Sequence, residues 1–192
     1  MAAKKITDVA ALKAFGHPLR IRLDRALVAA GTATATQLAE QVDEPVSLVS
    51  YHLRKLAEYG YIEEAPRQGA DGRERWWRHS ADRYDMHWAD FADDPEGVAA
   101  YIGTSHQVAS ARMQNLMRYI GEQPAWPREW ATAAFGTGRI FRLTPAELQE
   151  MADEAAEFAE RWAARSRAAD EAGATEGREH VELQMYGYPF RP

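Results

Sequence analysis

Within its first sixty residues the chain repeats one pattern, a short apolar run at helical spacing closed by a residue that stops a helix. Ile6, Val9, Leu12 and Phe15 run up to Gly16. Pro18 then sits in a first-turn position, and Leu19, Leu23, Ala26 and Leu27 lead to Gly31. Thr34 with Gln37 three residues later has the capping-box pattern, followed by the stripe Leu38, Ala39 and Val42 and the turn Asp43-Glu44-Pro45. A fourth run, from about Val46 to Tyr59, ends at Gly60. Next come Tyr61 to Ala65, a Pro/Gly-rich loop from Pro66 to Gly72, and Arg73 to His79, which read as two strands around a turn. Short helices followed by a hairpin predict a winged helix-turn-helix.

Composition bounds the rest. With 192 residues, 46% of them hydrophobic, the chain suits one large domain or two small ones, and disorder throughout is excluded. Cysteine is absent, so no disulfide, thiolate metal site or cysteine nucleophile is available. No secretory segment opens the sequence and no apolar run suits a membrane span, so an intracellular, cytoplasmic protein with no membrane partner is expected. The net charge of -6 argues against a polyanion partner until it is divided. Residues 1–80 hold 12 Lys/Arg against 10 Asp/Glu, net +2, whereas residues 81–192 hold 11 against 19, net -8. The stretch Asp82 to Glu96 is acidic and lacks a period. The expected organisation is therefore a winged helix over 1–80, an acidic linker over 81–95, and a helix-rich domain over 96–192, mainly α overall.

The fourth helix carries the functional signal. Advancing about 100° per residue puts Val46, Val49, Leu53 and Leu56 on one stripe, with Ser47, Tyr51, Arg54 and Glu58 opposite and Ser50 at the edge. Hydroxyls and an Arg on the first turns of the second helix of such a motif suit the major groove, where Arg bridges guanine O6 and N7. The hairpin adds Arg67, Arg73, Arg75 and Arg78, placed to reach phosphates or a minor groove. Of the Trp76-Trp77 pair, Trp76 is expected to pack onto the helices.

These residues resemble a family. His17-Pro18-Leu19-Arg20-x-Arg22-Leu23, Thr34-Ala35-Thr36-Gln37-Leu38-Ala39, Val49-Ser50-Tyr51-His52-Leu53-x-x-Leu56-x-x-x-Gly60-x-Ile62 and Gly72-Arg73-Glu74-Arg75-Trp76 look like the DNA-binding domain of ArsR-type bacterial transcription regulators. The likeness covers roughly residues 6 to 80. It implies a homodimer on a pseudo-palindromic operator of double-stranded DNA, with Ser47, Ser50, Tyr51 and Arg54 as readers. The family's cysteine sensor motif is absent here. The six histidines are scattered, only Asp85-x-His87 offers a two-ligand spacing, and His17 and His52 read as a helix-start residue and a flank residue beside the wing. No metal and no cofactor are expected.

In the second half, Val98, Ile102, Ser105, Ala109, Met113, Leu116 and Ile120 predict one long amphipathic helix. Leu148, Met151, Ala155, Phe158 and Trp162 predict another, opened by Thr144-Pro145-Ala146-Glu147. Arg139 to Leu143 and Val181 to Tyr186 alternate like half-buried strands, which predicts a small two-stranded β element. Fourteen of the twenty aromatics fall after residue 80, and they either fill a core and a dimer interface or line a cavity for an apolar or aromatic effector. On the second reading the wall is Trp126, Trp130, Tyr101, Trp162 and Phe141, with the Pro-stiffened turn around Trp126 at its centre. Catalysis is not expected: there is no phosphate-binding glycine loop, G-x-S-x-G or H-E-x-x-H, and Gly136-Thr137-Gly138 is too short for a dinucleotide fingerprint. The alternative to a DNA reader is a winged helix that binds protein.

Overall fold

A computed structural model describes residues 3–66, 74–81 and 83–191. The chain divides into two compact units, Met1–Gln123 and Pro124–Pro192. It is mainly α, with a winged helix-turn-helix at the N-terminus and a helical region after it. No helix among the described residues is long and apolar enough to cross a membrane.

The first unit opens with β1 (Ala3–Lys5) and α1 (Val9–Phe15), the latter capped by Asp8, whose carboxylate accepts the Ala10 amide. Ile6 is buried just ahead of that helix rather than inside it. α2 (Pro18–Ala30) starts on His17, whose ring accepts the Leu19 amide at 3.2 Å, and stops at Gly31, which takes φ 68°. β2 (Thr32–Thr34) leads into α3 (Ala35–Val42) through the capping box of Thr34 and Gln37. α4 (Val46–Glu58) follows a turn in which Asp43 adopts a left-handed backbone. The wing is β3 (Ile62–Glu64) and β4 (Trp76–His79), antiparallel, and β2 adds on the far side of β4 to give the order β2-β4-β3.

The third strand escapes the sequence pattern because Thr32-Ala33-Thr34 is too short to show alternation. Trp77 and not Trp76 packs inward: Trp77 is 6% exposed, and Trp76 is half-buried. Register decides this, since β4 pairs Trp77 with Ala33 of β2, which is also buried.

The segment expected as a linker is built into the first unit. β5 (Arg83–Asp85) pairs in parallel with β1, Phe91 is buried, and Lys5 forms an ion pair with Asp90 at 2.6 Å. Its acids obscured this, because they sit around a few apolar anchors. α5 (Pro95–Glu122) then starts on Asp94, whose carboxylate accepts two amides. It crosses α1 closely: Thr104 Oγ1 donates to the Leu12 carbonyl at 3.0 Å, and a Cβ on Gly16 would come within 2.6 Å of that hydroxyl. The core joins Leu12, Leu23, Leu27, Leu38, Leu53 and Leu56, with Tyr61 buried among them and its hydroxyl donating to the Ala11 carbonyl at 3.0 Å.

The second unit holds α6 (Arg128–Ala133) and α7 (Pro145–Glu171), the latter opened by the expected Thr144/Glu147 capping box. Here the β expectation fails. Residues 139–143 and 181–186 form no strand, and most of their apolar side chains are exposed. Alternation records extended backbone with two unlike faces, but pairing requires an adjacent edge of the right register.

Candidate nucleic-acid interface

α4 is held from below by Val49, Leu53 and Leu56, none of which has any exposed surface. These side chains fix the rotation of the helix about its own axis. Ser47, Tyr51 and Arg54 consequently point to solvent, and Ser50 is half-buried at the edge. Arg54 makes no ion pair among the described residues, so its guanidinium fork is uncommitted. Pro45 precedes the helix without a side-chain cap, which leaves the first backbone amides open beside Ser47.

Two positions depart from the expected wheel. Val46 is 44% exposed on the open hollow that it lines with Ala39, Glu40 and Asp43, and His52 completes the buried stripe instead. His52 is not a flank beside the wing. Its ring packs on His17 with centroids 4.4 Å apart and meets Tyr51 edge-on at 5.1 Å. Burial first, and then the positive charge of Arg20, hold both imidazoles below their ordinary value, and for His52 the neighbouring His17 adds to this while Glu44 opposes it. Neutral rings are therefore the packed form.

Leu48 joins this surface without having been expected there. It is 39% exposed beside Tyr51 on the outer side of α4, where an apolar group suits a thymine methyl. The same wheel that finds Arg54 places it there, but an apolar residue on a polar face is easily assigned to the core.

The turn ahead of α4 is acidic and braced. Arg22 meets Glu44 at 3.1 Å and donates to the Val42 carbonyl, tying α2 to the loop between α3 and α4. An open hollow of about 450 Å³ at this turn is edged by Glu40, Asp43 and Glu44. Its charge opposes phosphate at this turn.

In the wing, Arg75 is exposed and makes no ion pair among the described residues. Arg78 is committed to Glu63 across the β3–β4 pair at 2.7 Å. Glu74 accepts the Thr36 hydroxyl at 2.7 Å, which ties the base of the wing to α3. Arg67 and Arg73, assigned to DNA contact from the sequence, lie outside the described residues.

The five aromatic candidates for an effector wall do not share the hollow found in the second unit. Phe141 lines an open hollow of about 500 Å³ with Leu143, Tyr188 and Phe190, and Trp126, Trp130, Trp162 and Tyr101 are not part of it. Tyr101 belongs to the first unit, edge-on to Trp88 at 5.7 Å. Arg165 covers the indole of Trp162 at 5.0 Å, and Trp126 and Trp130 are half-buried. Among the described residues, no three His, Asp or Glu side chains are grouped to hold a metal ion.

Comparison with known families bears on the first unit. Residues 15–64 match the family model described as a helix-turn-helix domain. The match runs from the end of α1 to the end of β3, so it spans both helices of the motif and the first strand of the wing. No curated protein matches the chain.

Proposed function

We propose that the chain is a DNA-binding transcription regulator of the ArsR type, working as a homodimer on a pseudo-palindromic operator. The observation that carries this reading is α4. Inside a matched helix-turn-helix domain, it presents Ser47, Ser50, Tyr51 and Arg54 outward while Val49, Leu53 and Leu56 lock its orientation. A planar guanidinium with no internal partner suits a guanine edge, and hydroxyls on the first turns suit bases or phosphate. Arg75, and Arg67 and Arg73 of the wing loop, supply contacts that position the protein without reading sequence.

A dimer presents two copies of α4, and their separation of about one DNA turn sets the half-site spacing. No catalytic role and no cofactor enter this reading, and an effector is not needed to explain the second unit. The weak total charge makes nonspecific attraction small, so specific contacts and dimerisation provide most of the affinity.

Gel-shift titration against the DNA upstream of the protein's own coding region tests the reading. Arg54→Ala is expected to cost about 1–3 kcal/mol and to relax base preference at one position of each half-site. Arg75→Ala should weaken binding alike on all sequences and flatten the salt dependence. If binding is independent of salt and indifferent to Arg54→Ala, a protein-binding winged helix takes its place.

A further inference from the structure

Two arginines on the first two turns of α2 differ in their partners. Arg22 forms an ion pair with Glu44 and donates to the Val42 carbonyl. Arg20 lies about 200° around the helix from it and is half-buried. Among the described residues no carboxylate pairs with Arg20, and its Nε is buried without a hydrogen-bond partner. Burial pushes its pKa below the ordinary value, while the nearby hydroxyls of Tyr51, Tyr59 and Tyr61 oppose this, and the guanidinium stays charged. A charge taken partly out of water without a counter-ion costs the fold free energy that a partner from outside would return.

Three further side chains join Arg20 at the seam between α2 and α4. His17 is exposed at the start of α2, and because its Nδ1 accepts the Leu19 amide, the neutral ring carries its proton on Nε2 as a donor. His52 packs on it, 5% exposed, and its Nδ1 is buried without a partner. Tyr51 stands edge-on to His52 and is 48% exposed on the reading face. Glu44, whose charge reaches His52, is already held by Arg22. A seam with donors, a cation lacking a carboxylate and two buried nitrogens lacking partners suits an anion, and a planar guanidinium suits phosphate.

We propose that this seam is a binding site for the DNA backbone, in which Arg20 holds one phosphate of each half-site, with the Tyr51 hydroxyl and the His17 Nε2–H beside it. The proposal rests on the DNA reading of the proposed function and adds a contact to it. Position favours the backbone over a base. An α-helix with its side chains is about 10–12 Å across and fills a major groove about 12 Å wide. A group on the neighbouring helix, beside the reading face, therefore meets the wall of the groove, and that wall is phosphate. The seam is preformed, because Leu19 and Leu23 of α2 share one core with Leu53 and Leu56 of α4. Arg20 thus fixes how α4 seats in the groove and carries no sequence preference of its own.

Duplexes of the upstream DNA carrying one methylphosphonate, which removes a single phosphate charge, at successive backbone positions test the contact. The wild type should lose about tenfold in affinity at one position of each half-site. Arg20→Gln should lose about tenfold on the unmodified duplex and nothing more at that position. Its slope of log K against log salt should be shallower by about 0.9 per protomer, with the order of preference among base variants unchanged, and Arg20→Lys should keep the wild-type slope. A methylphosphonate loss of the same size in Arg20→Gln as in the wild type overturns the site and leaves DNA reading standing. So does an Arg20→Gln protein that melts earlier and binds every duplex more weakly at an unchanged slope. A melting temperature raised by inorganic phosphate at fixed ionic strength in the wild type and not in Arg20→Gln, without a methylphosphonate effect, assigns the seam to a free anion and overturns the backbone contact. A wild type that binds no duplex overturns both this site and the DNA reading.

Discussion

The two compact units use the same local devices and reach opposite states of burial. Each contains a helix opened by Thr with a Glu or Gln three residues on, and in both the box closes as the pattern predicts, at Thr34/Gln37 and at Thr144/Glu147. In the first unit the capped helix then buries Leu38, Ala39 and Val42 against α2 and α4. In the second, α7 has no fully buried residue, and Leu148, Met151 and Ala155 are only half-buried. Local signals start and stop a helix; whether that helix is stable in one place depends on a second apolar surface to meet it. The first unit finds that surface within its own fold.

Truncating a large apolar side chain in each unit puts this contrast under the most severe test. Leu53→Ala in the core should cost about 2–5 kcal/mol, read by urea unfolding, whereas Ile140→Ala, at a position 77% exposed, should change stability by less than about 0.5 kcal/mol in a monomer. An equal loss at both positions would mean that the second unit is packed in solution, and its dependence on protein concentration would show whether a second copy does the packing.

Thr104 offers a smaller test at the root of α5. Thr104→Val removes a buried hydroxyl that donates to the Leu12 carbonyl and should cost about 1 kcal/mol, with the melting temperature as the measurement. The caps repeat the contrast on a local scale. Thr34→Ala, at a site 1% exposed, should lie near the upper end of the range of about 0.5–2 kcal/mol for lost caps, and Thr144→Ala near the lower end. Helix content by circular dichroism would separate local fraying from global loss.

The smallest effect is a pH dependence confined to the first unit. Burial holds His17 and His52 below the ordinary imidazole value, so folding favours the neutral rings. Their contribution is present above the unfolded value of about 6.5 and is lost as pH falls through it, because the unfolded chain then takes up protons the fold resists. The melting temperature should fall between about pH 7 and pH 5, and His52→Gln should reduce that fall. A fall of the same size in the variant would place its origin elsewhere. Because His52 lies under Tyr51, DNA affinity should follow the same direction.

Much of the candidate interface is legible in the sequence because one helix carries it. A helical wheel needs only a period, and it puts Ser47, Ser50, Tyr51 and Arg54 outward and Val49, Leu53 and Leu56 inward, where the structure has them. It misplaces Val46 and His52 because a wheel treats every turn as equally covered, whereas Val46 borders an open hollow and His52 packs on His17. The expectation of Trp76 over Trp77 fails for a related reason: alternation separates two faces but does not say which is the inner one. The commitment of Arg78 is equally hidden, since it looks as free a cation as Arg54 until Glu63 is seen across the strand pair.

By itself, the sequence determined the first four helices and the wing strands of the first unit, the stops of those helices, and the face of α4 that is free to read a duplex, because each follows from a few neighbouring residues. It also determined that the acid belongs to the second half. Tertiary structure alone decided that residues 83–95 are built into the first unit through β5 and Phe91, that 139–143 and 181–186 form no strand, and that α7 has no fully buried residue. Pairing and coverage are relations between distant segments, and a local period does not encode the partner it requires.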